Sequence, residues 1–402
     1  MRDRLQKSIA LALTVSVLVL LKPSEMTAQN QDGIESAKAN APATALKTPW
    51  GEPDLQGIWT EEFDTPLQRS PKYANQEFFT EKERQELDGA RAALLGRDKR
   101  VERGSEVDLA GAYNDVFLSH KRTGPRTSLI IDPYNGRVPP LTPEAEKIAT
   151  AEREFHLALL QATEACRSKS AECSGGKYDP TPSPRFADVP PRYNTGRINR
   201  HDGPEDGALP DRCLTPGLPE FGTAFGGSFR RIVQTPGGIT MFYDVGQGQG
   251  WQRNIVMNGT PHLPVGTRQW YGDSRGHWEG NTLVVDVTNF SPKIDYRGSR
   301  ENLHLIERWT RTGPTSLEYV VTIEDSTVWT RAWTVKQEFT KQNNEENRIY
   351  YEPRCVEGNH AFGGMMRGAR AQELAFTEGR GPDPAMMDSI RGFGGLEEDP
   401  FQ

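Results

Sequence analysis

Apolar and polar residues alternate with a period of two through most of the second half of the chain. In the run 316–324, Leu317, Tyr319, Val321 and Ile323 alternate with Glu318, Val320, Thr322 and Glu324, the pattern of a strand with one buried face. Leu283, Val285 and Val287 repeat it against Val284, Asp286 and Thr288. Between that run and the preceding one lies Gly280-Asn281, a pair suited to the positive φ values of a tight hairpin. Strands are predicted near 229–234, 238–245, 252–258, 267–272, 276–279, 282–289, 302–311, 315–324, 332–340 and 347–352, separated by Gly, Pro, Asn or Asp. No helical period interrupts them. The reading is therefore mainly β: an antiparallel up-and-down meander over 229–360 that avoids exposed edges by closing into a barrel.

The first half has a different texture. Thr80 followed by Glu83 opens a capping-box helix over 80–95. Thr142 caps a second helix from Pro143 to about Ala165, with Pro143 at its first position and Glu144 and Glu146 favouring that end of the dipole. A short strand is expected at 127–132, and Trp50, Leu55, Ile58 and Trp59 are expected to pack an irregular segment onto the main body. Residues 174–228 read as a long Pro/Gly-rich loop, and the tail after His360 as irregular. The domain reading is 1–28 signal peptide, 29–47 linker, 48–228 irregular and helical region, 229–360 barrel, and 361–402 irregular tail.

Composition adds compartment and excludes some partners. Arg2, Arg4 and Lys7 precede the apolar run 8–21, whose length suits a secretory h-region and falls short of a membrane span. Export to the periplasm or beyond is expected, with no transmembrane segment after signal removal. The net charge is −7 and no basic stripe occurs, which argues against a nucleic-acid partner. In an oxidising compartment the four cysteines are disulfide candidates. Cys166 with Cys173 and Cys213 with Cys355 is the favoured pairing, though three connectivities remain open.

The segments PWGEPDLQGIWT (49–60), RTSLIIDPYNGRVPPLTPEA (126–145), DRCLTPGLP (211–219), SRGHWEGNTLVVDVTNF (274–290) and LHLIERW (303–309) together resemble a large family of exported bacterial proteins. The resemblance covers nearly the whole chain after the leader. It implies export and shape, and no chemistry. The meander also looks like a lipocalin-type barrel.

Candidate chemistry centres on 269–290. His277, flanked by Asp273, Glu279 and Asp286, has the residue types of an acid/base pair, and Arg275 shares its face and suits a carboxylate or phosphate. The competing reading places all of them on the solvated side of a hairpin. Glu307 stands on the apolar face of its strand with Leu303, Leu305 and Trp309, which calls either for an arginine partner such as Arg231 or Arg331 or for a raised pKa. His304 lies on the opposite face of that strand. Trp270, Trp278 and Trp309, with Asp273, Arg275, Glu279 and His304, are the expected ligand contacts; His277, Asp286 and Glu307 are the catalytic candidates. No HxH, HExxH or CxxC motif supports a metal, and no cofactor is expected. Six of the eight tryptophans fall in the barrel region, compatible with a small, partly apolar ligand held inside. An exported hydrolase, lyase or isomerase using the same cavity, and an envelope interaction scaffold, are the alternatives. Oligomeric state is not legible.

Overall fold

The computed structural model describes residues 46–61, 63–95, 122–169, 173, 175–181, 198–199, 203, 217–221, 229–246, 249–342, 360–384 and 390–391. In chain order the elements are β1 (Gly57–Glu61), α1 (Glu81–Leu95), β2 (Ile130–Asp132), α2 (Pro143–Leu160), α3 (Glu164–Arg167), β3 (Ile198–Asn199), β4 (Phe229–Thr235), β5 (Gly238–Gly246), β6 (Gln249–Val256), β7 (Asp273–Glu279), β8 (Thr282–Thr288), β9 (His304–Arg311), β10 (Ser316–Glu324), β11 (Trp333–Lys341), α4 (His360–Thr377) and β12 (Ile390–Arg391). β1 pairs with both β4 and β11, and the order β1-β4-β5-β6-β7-β8-β9-β10-β11 closes a nine-stranded barrel. β2 pairs with β11 at Thr334 and Val335, the opposite end of the strand from the residues that pair with β1, while β3 and β12 form a small separate ladder.

Closure with an odd strand count has a topological consequence. Neighbours that alternate in direction cannot return to their starting sense after nine steps, so one pair must be parallel. That pair is β6 and β7, joined in register only through Ile255 with Ser274 and Val256 with Arg275. The mainly β barrel expected from the sequence is what forms, with this one parallel pair its departure from an antiparallel meander; the strand expected at 267–272 is corrected. The chain instead turns there and enters β7 at Gly272, whose φ of +67° breaks the extended path. The barrel also begins earlier in the chain than 229, because β1 is drawn from the segment read as irregular packing.

Alternation decides what faces inward. Trp59 and Glu61, Arg230, Ile232 and Gln234, and Leu305, Glu307 and Trp309 are buried while their sequence neighbours on the other face are more exposed. Just before β1, the Gln234 side chain accepts from the backbone N–H of Leu55 (2.6 Å) and the Trp59 indole donates to the Leu55 carbonyl (2.9 Å). Elsewhere Leu218, Phe290 and Ile294 join the same core.

The helices start where capping chemistry places them. Thr80 and Glu83 make the reciprocal capping box of α1, and Thr142 Oγ1 accepts from the Ala145 N–H at the start of α2. α2 stops at Leu160, short of the expected Ala165, and Cys166 and Cys173 close a disulfide just beyond it. The tail expected to be irregular contains α4, eighteen residues long. Gly363, Gly364 and Gly368 break up its apolar period, which explains why the pattern is faint in the sequence.

Candidate functional site

The least core-like feature of the barrel is a layer of ionised and phenolic groups inside it. Arg253 on β6 reaches Glu307 on β9 with both terminal nitrogens, Nη1 lying 3.2 Å from Oε1 and Nη2 bonding Oε2. The Tyr319 hydroxyl on β10 donates to the same Oε1 at 2.8 Å. Arg230 on β4 pairs with Glu61 of β1 at 3.1 Å and with Glu220. Its guanidinium stands 4.6 Å from the Phe339 ring centre and 5.5 Å from that of Tyr243. Tyr243 and Tyr319 lie within electrostatic reach of both ion pairs, so the two groups form one layer rather than separate bridges.

Burial and charge shift these groups in consistent directions. Burial pushes the Tyr243 hydroxyl up to about 12 and holds Tyr319 well above the usual phenol range, so both stay protonated as donors. Burial opposes the charge on Arg230 and Arg253, but Glu220 and Glu61 for the first and Glu307 for the second outweigh it and hold both raised. Aromatic rings flank the layer. Tyr243 stacks on Trp251 (5.0 Å, 3°) and Trp251 on Tyr271 (5.3 Å, 12°), while Trp309 clusters with Tyr319 (4.0 Å) and Phe339 (5.9 Å). Among the described residues, four buried polar atoms nearby find no hydrogen-bond partner: Arg253 Nε, Trp251 Nε1, Trp309 Nε1 and Gln337 Oε1.

Of the three catalytic candidates, only Glu307 belongs to this layer. Its partner is Arg253; Arg231 is exposed on β4 and Arg331 pairs outside with Asp132. His277 projects from the outer wall, its side chain 61% exposed, and contacts Glu279 at 3.2 Å. Glu279 in turn bonds Arg308, which keeps its carboxyl below the usual range. A shared interior site for His277, Asp286 and Glu307 is thereby corrected: alternation along β7, β8 and β9 sends the first two outward and the third inward.

Asp286 instead joins an outer-wall chain. His304 holds Asp286 Oδ1 through Nε2 (2.9 Å) and Glu324 Oε2 through Nδ1 (3.1 Å). His262, from the connection between β6 and β7, lies 3.4 Å from Asp286 and 2.9 Å from Asp273. Arg275 grips both oxygens of Asp273 at 3.0 Å, and the backbone N–H of Leu263 donates to Oδ2 at 2.9 Å. Every ring nitrogen of His304 is engaged, so the chain fastens the connection to the wall rather than presenting a free base. Trp309 faces inward, Trp278 is half-buried against the core, and Trp270 packs on it from the connection.

Arg253, Arg230, Glu61, Tyr243 and Tyr319 were not singled out from the sequence, although a signal existed. Trp251-Arg253-Ile255 and Trp59-Glu61 put a charge in step with buried aromatics, the same anomaly that marked Glu307. Among the described residues no cluster of His, Cys, Asp and Glu could hold a metal, and no helix is long and apolar enough to cross a membrane. Cys213, Cys355 and the expected leader lie outside the described residues.

No protein-family profile and no curated protein matches the chain. Solved structures similar to part of it include a secretary abundant heat soluble (SAHS) protein from Ramazzottius varieornatus, at 14% identity over 33% of this chain and 82% of that one, with a TM-score of 0.22. The fluorescent protein UnaG, in wild-type and mutant forms, matches at 14% identity over 29% of this chain and 73% of its own, with a TM-score of 0.19. Likeness at this level bears on neither ligand nor activity, and what the chain itself establishes is a closed nine-stranded barrel with a buried ionic layer.

Proposed function

We propose that this is an exported protein that binds a small, partly apolar molecule inside its barrel. The observation that carries the reading is the buried layer of Arg230, Arg253, Glu61, Glu220 and Glu307 among stacked aromatic rings. Replacing buried ion pairs with well-packed apolar residues is often neutral or stabilising, so stability alone gives weak reason to keep such a layer. Buried polar atoms nearly always find partners, yet four around this layer have none among the described residues. A few polar groups set among aromatic walls fit the composition of small-molecule sites. The disulfide between Cys166 and Cys173 is compatible with the export that the apolar leader and the family resemblance suggest.

The test is native mass spectrometry of the protein purified from the cell envelope. A stoichiometric small molecule released on denaturation is expected, and the stripped barrel should bind Nile red with quenching of its tryptophan fluorescence. Release of nothing, together with unquenched fluorescence, would remove the reading.

A further inference from the structure

We infer that the barrel's ligand is an uncharged, planar molecule bearing carbonyl or ether oxygens, and not a carboxylate or phosphate. This rests on the proposed binding in the barrel and narrows its chemistry. The first ground is electrostatic. Both interior arginines already face carboxylates, Arg253 through two bonds to Glu307 and Arg230 between Glu61 and Glu220. An anion entering the layer would meet guanidinium groups whose terminal nitrogens are already bonded to carboxylates, and would sit against three acidic side chains, in a setting where unpaired buried charge is strongly unfavourable.

The second ground is the inventory of unmatched polar atoms. Arg253 Nε–H and the indole N–H groups of Trp251 and Trp309 are donors; Gln337 Oε1 is the acceptor among the four. All four residues are more than nine-tenths buried and stand on the inward face of β6, β9 or β11. A surplus of donors is met by a molecule rich in acceptor oxygens. The third ground is shape. Tyr243, Trp251 and Tyr271 stack on one another as nearly parallel rings, with interplanar angles of 3° and 12°, and a flat molecule would extend such a stack in offset geometry.

The experiment titrates the stripped protein, followed by tryptophan fluorescence and calorimetry, with 1,4-naphthoquinone, with flavone and with oleate. The two neutral carbonyl compounds are expected to bind at least tenfold more tightly than oleate. Trp309→Phe deletes the indole donor and leaves a smaller aromatic face; it should weaken the carbonyl compounds at least tenfold more than it weakens oleate, which shares any loss from the cavity it opens. Tighter binding of oleate, or carbonyl ligands indifferent to Trp309→Phe, would overturn the assigned ligand class while leaving binding in the barrel intact. Failure of all three ligands to bind, with no retained molecule in the purified protein, would overturn both.

Discussion

Glu307 shows how much a single residue can reveal and what it leaves open. Its place among Leu305 and Trp309 marks it as a charge facing inward, and the structure supplies the partner in Arg253, distant in sequence and reached across the barrel interior. The pair is completely enclosed, so removing one member strands the other. Glu307→Gln should cost about 3–5 kcal/mol of unfolding free energy in urea titrations, the usual effect of leaving one buried charge unpaired. The double replacement Arg253→Met with Glu307→Leu should recover most of that loss; if it were as unstable as the single variant, the account of stranded charge would be wrong. Glycine positions divide in the same local way. Gly272 and Gly280 both have positive φ, but a Cβ at Gly272 would lie 2.7 Å from the Thr288 carbonyl, whereas nothing lies within 4 Å at Gly280. Gly280→Ala should cost only the left-handed strain of about 1 kcal/mol, and Gly272→Ala an additional 1–3 kcal/mol or so of overpacking. Equal shifts in denaturation midpoint would contradict this.

At the scale of elements, β8 and β9 are tied across the outer wall by Asp286 and His304. The hydrogen bond from His304 to Asp286 holds the imidazole above its ordinary pKa, against partial burial, and holds the Asp286 carboxyl below its own. A raised histidine contributes stability below about pH 6.5 that fades as pH rises through its folded-state value; a depressed aspartate contributes above about pH 3.9 and fades as pH falls through its lowered value. The fastening is therefore strongest in mildly acidic solution and weakens on the alkaline side. The melting temperature should fall between pH 6 and 8, and His304→Gln should flatten that slope; parallel curves for the two proteins would rule the coupling out. Element boundaries were legible wherever capping chemistry is local, as at Thr80 and Thr142. They were less legible where a turn replaced an expected strand at 267–272, because the sequence pattern alone does not distinguish a left-handed Gly272 from an extended one.

For the whole molecule, β1 is the stave that closes the ring by pairing with β4 on one side and β11 on the other. A chain starting at Phe63 would leave both partners with unpaired edges, which are templates for aggregation. Such a protein should be recovered mainly as aggregate, or as a monomer without a cooperative unfolding transition; a soluble, cooperatively melting product would show that the barrel can close without β1. By itself the sequence determined the strand-rich class, the hairpin at Gly280-Asn281, the two capped helices and the inward direction of Glu307, because each follows from contacts within a few residues or from the two-residue period of a strand. The ninth stave, the parallel seam, the exterior placement of His277 and the arginine partners inside the barrel were decided only by tertiary structure. Those depend on which distant strands meet and in what register, and that choice is made by closing the ring, a constraint that no local pattern in the chain records.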